Sequence, residues 1–235
     1  MASLFTVASA AKFQDILFAA ARFYLRSLQM FDVDPEFAYL DLITCGEILA
    51  NFDSYSEEEV YDAEILALFR KIETEMEGGA GVVARFRGGM RGVKRKYVAA
   101  ILRLLKSDFF NVSETNQPYG ALRADDIEKR VKAAYDLRSQ YVHSGVNFGQ
   151  WTHPHGNLLT EIQLGQQVIE GKTKLAKTIA MAPTYHGLER IMRYCLLRFI
   201  HLNGVSIDER LDGPGLSPPM GAEPPAVPAP DVPPA

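Results

Sequence analysis

Asp34-Pro35-Glu36-Phe37-Ala38-Tyr39-Leu40-Asp41-Leu42-Ile43-Thr44-Cys45-Gly46-Glu47-Ile48-Leu49 is the stretch whose reading decides the fold. Asp34 is a helix N-cap type, Pro35 suits the first helical position, and Glu36 complements the positive end of a helix. The spacing predicts a helix over about 35–52. Its apolar residues fall on almost every side, and a helix apolar all round is one that other elements cover. This helix is therefore expected at the centre of a bundle.

Its partners can be read on either side. Phe13, Ile16, Leu17, Ala20, Phe23, Tyr24 and Leu28 recur at three- and four-residue steps and predict an amphipathic helix over about 8–30. A third helix is expected from about Ser56 to Glu77, its start favoured by Glu57-Glu58-Glu59. Glycines 78, 79, 81, 88, 89 and 92 then predict an open loop, followed by helices over about 93–107 and 125–143. Residues 146–183 read as a loop around Trp151, Pro154 and Gly156, with one or two short helices within 158–181. A last helix, about 184–202, carries Leu188, Ile191, Met192, Cys195, Leu196, Phe199 and Ile200. No alternating strand pattern and no internal repeat is present. The fold class is all-α, a single helical bundle domain over residues 5–207.

Residues 208–235 form a Pro-rich C-terminal tail. Nine of the 13 prolines lie within 211–235, and such a segment lacks the apolar content to offset its ordering entropy, so disorder is expected. The full chain is 47% hydrophobic and 23% charged, which excludes a fibre or a wholly disordered chain. No window of about 18 residues is apolar and free of charge, and the N-terminus lacks a basic segment before its apolar run. Neither a membrane span nor a signal peptide is expected. Cys45 and Cys195, far apart in apolar surroundings, suit two buried thiols in a reducing cytosol. A soluble cytoplasmic chain is the expectation.

The net charge of −4 hides an asymmetry: −10 over residues 1–77, +9 over 78–210 and −3 over 211–235. Patch charge matters more than the sum, so a polyanion partner is not excluded. Equally, the acidic half can neutralise the basic half inside the fold. Eight Arg or Lys and no acid lie between Arg85 and Lys106. Arg85, Arg87, Arg91, Lys94, Arg95 and Lys96, with Phe86 and Tyr97 among them, suit phosphate contacts and base stacking. The alternative is a solvated face balanced by the acidic segment Asp53–Glu77.

The helix over 125–143 places Arg138 on its core stripe, after Ile127, Val131 and Ala134 and before Tyr141 and Val142. A guanidinium there needs a carboxylate or a cleft. Asp41 and Glu47, on a helix with almost no polar face, are the candidate acids, and Arg138 with Glu47 is the natural pair. His143 follows five residues later, about 140° round an ideal helix. The two converge only if the helix ends between them or a second subunit contributes. An Arg, a His and an acid in a helical cleft suit phosphate chemistry, the Arg holding a phosphoryl oxygen and the His moving a proton. A structural arginine with a C-terminal histidine cap is the other reading.

Two blocks carry a family resemblance. Tyr135-Asp-Leu-Arg138-Ser-Gln-Tyr-Val-His143-Ser-Gly145 resembles the Y-x-L-R-S-x-x-V-H-G pattern of HEPN domains, in the Apea-like branch. Leu40-Asp41-Leu42-Ile43-Thr44-Cys45-Gly46-Glu47-Ile48-Leu49 is similar to that branch's l-D-l-v-i-A-l-E-a-L helix, and Phe23-Tyr24-Leu25-Arg26-Ser27 to the helix before it. Ser139, directly after the arginine, is usual in that branch, while Ser144 stands between His143 and the glycine. The resemblance covers most of 8–203. It implies a bundle of four or more helices that pairs as a homodimer, and a metal-independent endoribonuclease or RNA-binding protein of a defence or toxin-type system. Arg138 and His143 would be the catalytic pair, Glu47 and Asp41 the supporting acids, and a partner protein or antitoxin could bind. A non-catalytic HEPN interaction module, binding a partner protein or nucleotide, stays open beside it.

No cofactor or metal is expected. Gly165 and Gly171-Lys172-Thr173 miss the phosphate-loop spacing and follow no strand. His153-Pro154-His155 with His143 offers no sulfur or acidic ligand. Asn111-Val112-Ser113 fits a glycosylation sequon but has no consequence in a cytosolic chain.

Overall fold

Asp34 caps the decisive helix as its residue type requires: its Oδ1 accepts from the Phe37 amide at 3.0 Å, with Pro35 at the first helical position. The computed structural model describes residues 11–90, 92–152 and 159–205. They contain α1 (Ala11–Met30), α2 (Pro35–Ala50), α3 (Glu57–Val60), α4 (Ala63–Glu75), α5 (Gly79–Gly89), α6 (Val93–Leu104), α7 (Ile127–Ser144), α8 (Gly149–Thr152), α9 (Thr173–Met181) and α10 (Tyr185–Leu202). Short 3₁₀ turns occupy Ser107–Phe110 and Pro118–Gly120. Among the described residues there is no strand beyond an isolated bridge between Ile162 and Pro183. The chain is all-α. No helix among these residues is long and apolar enough to cross a membrane.

α2 is the axis of the bundle. Nine of its sixteen residues are buried, on all sides, and α1, α6, α7, α8 and α10 each pack against it. Gly46 is required there: a Cβ would stand 2.5 Å from Cε2 of Tyr97, so the missing side chain lets the α6 ring reach α2. Ser27 of α1 donates to the Ala38 carbonyl at 2.7 Å, and Lys12 donates to the Phe52 carbonyl at 2.6 Å at the far end. Tyr39, Leu42, Ile43, Ile101, Leu137, Leu188 and Ile191 fill one continuous core. Val60, Tyr61, Phe69 and Val83 form a separate, smaller one under α3–α5.

Three local expectations are corrected. The helix read over 56–77 is broken at Tyr61–Asp62, where Tyr61 is extended and Asp62 caps α4 by accepting from the Ile65 amide at 3.0 Å. The glycine-rich segment read as an open loop is α5. Gly79 has no room for a Cβ, which would lie 2.0 Å from the Ile72 carbonyl oxygen, so glycine here permits a close helix crossing. Val83 is buried at that crossing, and its packing overrides the poor helix propensity of the glycines. Within the stretch read as a loop around Trp151, residues 149–152 form α8. Residues 1–10, Arg91, 153–158 and 206–235 lie outside the described residues, and with them the Pro-rich tail and the His153-Pro154-His155 run.

Candidate functional site

α7 brings the Arg-containing block against α2. The Arg138 Nη2 donates to Glu47 Oε2 at 3.3 Å, and its guanidinium lies 5.6 Å from the centre of the Tyr135 ring. Neither partner is sealed from solvent: the Arg138 side chain is 29% exposed and that of Glu47 14%. The pair expected from sequence forms, but at the edge of the bundle rather than in its core. Burial, and then the Glu47 carboxylate beside it, push the Tyr135 hydroxyl up to about 12, while Arg138 pulls the other way. Glu47 thus serves a cation and a phenol together.

Asp41, the other candidate acid, belongs to a different pair. Its Oδ2 accepts from Arg26 Nε at 2.6 Å and its Oδ1 from Arg26 Nη2. Asp41 is buried, whereas Arg26 is exposed and lies over the Phe23 ring at 4.7 Å. A two-point carboxylate–guanidinium fork of this kind ties α1 to α2.

His143 is exposed at the end of α7. The helix runs unbroken through Ser144 and stops at Gly145, whose φ of +61° is the left-handed C-cap. Arg138 and His143 therefore point about 140° apart, and within one chain they do not converge. The chain beyond is held in place, since Glu36 accepts from the Phe148 and Gly149 amides and Tyr141 packs edge-on to Phe37 and Phe148. The C-terminal turn of α7 is therefore a fixed platform beside the start of α2.

Half of the eight basic residues of the segment, Arg87, Lys94, Arg95 and Arg103, are matched by acids of the same chain. Arg87 donates to Glu73 at 2.9 Å and to Glu57 at 3.1 Å, Lys94 to Asp136 at 2.6 Å, and Arg95 to Asp62 at 2.9 Å. Arg85 is exposed and Lys96 half-buried, and neither forms an ion pair among the described residues. Among the described residues no cluster of three or more His, Cys, Asp or Glu could hold a metal ion.

Sequence reasoning missed the most buried ion pair among the described residues. Arg190 of α10 and Glu161 form a pair at 3.1 Å, both buried. Glu161 also accepts from the Glu114 and Leu122 amides at 2.8 Å each, and Arg190 donates to the Phe109 and Val112 carbonyls. The signal was present, for Arg190 stands between Leu188 and Ile191 on an apolar stripe as Arg138 does on its own. It staples the segment 107–122 to α10.

No protein-family model matches the chain, and neither a curated protein nor a solved structure does.

Proposed function

We propose that the chain is an Apea-like HEPN protein that acts as a homodimer on RNA, in a defence or toxin-type system. The observation that supports this most directly is the Glu47–Arg138 contact, which joins the two sequence blocks that carry the resemblance. Arg138 is held by one acid yet remains partly exposed, as a residue that must also meet a phosphate would be. Because Arg138 and His143 diverge on one α7, a shared site would be completed by a second copy, its α7 antiparallel about a two-fold axis. Arg138 of one protomer would then face the histidine of the other.

The chemistry such a site suits is transesterification. The RNA 2′-oxygen bonds to the adjacent phosphorus, the bond from phosphorus to the 5′-oxygen breaks, and the products are a 2′,3′-cyclic phosphate and a 5′-hydroxyl. His143 would take the 2′-proton as the nucleophile attacks, and the imidazolium so formed would return it to the leaving 5′-oxygen. Arg138 would stabilise the charge developing on the phosphoryl oxygens, worth roughly 2.7–4 kcal/mol in comparable sites. Proton transfer by a placed imidazole typically contributes about 10²–10⁴-fold.

The second reading, a non-catalytic HEPN module that binds a partner protein or nucleotide, is favoured by a different observation: Arg87, Lys94 and Arg95 are already engaged by acids. One experiment separates the two. Full-length protein is incubated with single-stranded RNA in excess chelator, as wild type, Arg138→Ala and His143→Ala. Cleavage that survives chelation and falls at least a hundredfold in both variants supports the enzyme. Intact RNA throughout supports the module. A sedimentation mass of one chain at tens of micromolar would overturn the shared site.

A further inference from the structure

We propose that residues 53–62, Asp-Ser-Tyr-Ser-Glu-Glu-Glu-Val-Tyr-Asp, are an internal stand-in for single-stranded RNA that covers an RNA-binding strip on α6. The inference rests on the RNA reading above and adds a site and a regulation to it. The strip consists of Arg95, Lys96 and Arg103. Lys96 and Arg103 are seven residues apart, on one helical face, with Arg95 beside them.

The segment meets that strip as a nucleic acid would. Arg103 donates through Nη2 to both oxygens of Glu59, at 2.6 and 2.8 Å, and through Nη1 to Asp53 at 3.4 Å. The Tyr55 ring lies under the same guanidinium, 4.7 Å from its carbon. One arginine thus holds two carboxylates and an aromatic face, the pair of groups that a phosphate and its base present. Two turns earlier along α6, Asp62 takes Arg95 at 2.9 Å. Two clefts of about 500 and 490 Å³ flank the segment, the first reached by Lys94, Arg95 and Lys132 and the second by Arg87 and Lys96. They mark where the cover leaves α6 cations in reach of solvent.

The cover is lightly fixed. Its buried apolar anchors are Val60 and Tyr61, which belong to the small cluster with Phe69 and Val83 and not to the main core. The rest of its hold on α6 is the Tyr55 ring, one hydrogen bond from Arg103 to the Ser54 carbonyl at 3.3 Å, and ion pairs whose arginine side chains are 38% and 43% exposed; such pairs are screened by salt. An RNA strand that brings phosphates at close spacing displaces the segment by exchanging carboxylate for phosphate on the same arginines. Binding to the strip and opening of the α3–α5 lobe are then one equilibrium.

The test uses the full chain and a fluorescent 20-nucleotide single-stranded RNA. The unmasked variant is Asp53→Asn, Glu59→Gln, Asp62→Asn, in which Asn and Gln keep the helix caps. The control is Glu64→Gln, Glu75→Gln, Glu77→Gln, with the same net charge and no acid removed from α6. The unmasked variant should bind RNA at least tenfold tighter than wild type at low salt, and the control within threefold. Its log K should fall more steeply with log salt than that of wild type, because in wild type salt also loosens the cover. Adding Arg95→Gln and Arg103→Gln to the unmasked variant should abolish the gain. Hydrogen exchange gives a readout without RNA: amides of 53–62 should lose protection in 0.5 M salt while those of α2 and α10 keep theirs. Equal affinity of the unmasked and control variants, with wild type binding RNA, overturns the masking and leaves the RNA reading standing. No binding by any variant overturns the strip, and cleavage at Arg138 and His143 then decides the wider reading by itself.

Discussion

Replacing Glu161 with alanine should destabilise this protein more than any change at the candidate site. The carboxylate is 2% exposed and its partner Arg190 6%. It neutralises that guanidinium and accepts two amide hydrogens, from Glu114 and Leu122. Removing one member of a buried ion pair costs about 3–5 kcal/mol, because the remaining charge is left uncompensated. Each amide left without an acceptor adds about 1–3 kcal/mol wherever water does not reach it. Taking the ion-pair figure alone as the floor, and about 2–4 °C per kcal/mol for a domain of this size, the melting temperature should fall on the order of 10 °C. Thermal unfolding of the full chain followed by circular dichroism measures this directly. Glu114→Ala is the comparison, since Glu114 meets Arg193 at 2.7 Å with both side chains about one-third exposed, and such a pair is worth about 0–1 kcal/mol. Hydrogen exchange adds a local readout, with the Glu114 and Leu122 amides expected to lose protection first. A fall below about 2 °C for Glu161→Ala, or one equal to that of Glu114→Ala, would refute the argument that this pair clamps 107–122 to α10.

Glu47→Gln should cost only about 1 kcal/mol in urea unfolding, because Arg138 is partly solvated and makes one long contact with Glu47; a loss above 3 kcal/mol would mean that the pair is buried in solution. Tyr97→Phe should leave stability unchanged or raise it by up to about 1 kcal/mol, since the Tyr97 hydroxyl is fully buried with no partner among the described residues. A clear loss would show that the hydroxyl is satisfied. Burial pushes the Cys45 thiol up to about 12, and Cys195 in the same direction, so the folded state holds these protons more tightly than the unfolded chain. The stabilisation is complete below about pH 9 and is lost as pH rises from there toward 12. Urea midpoints should therefore fall across that window and recover part of the loss in Cys45→Ala, and native thiols should react with an aromatic disulfide at pH 8 only at the rate of opening.

What the sequence determined by itself is the all-α class and the centrality of α2. Both follow from local information: the Asp34-Pro35-Glu36 cap and an apolar pattern with no polar side, which nothing but a covered helix satisfies. The Glu47–Arg138 pairing was legible for a similar reason, because a charge on an apolar stripe must find its opposite. Tertiary structure decided the rest. Propensity reads glycines as loop, but the close approach of Gly79 to Ile72 makes a helix of 79–89. The choice of Arg26 over Arg138 for Asp41 depends on the rotation of α1 against α2, which periodicity does not fix to within one residue. The divergence of Arg138 and His143 depends on whether α7 runs past 138, and its cap at Gly145 settles that. Which acid each basic residue meets, Asp62 for Arg95 and Glu59 for Arg103, depends on the packing of the 53–62 segment on α6, which the run of charges does not specify. Charge patterns specify what a segment can attract; only the fold fixes which opposite charge lies within reach.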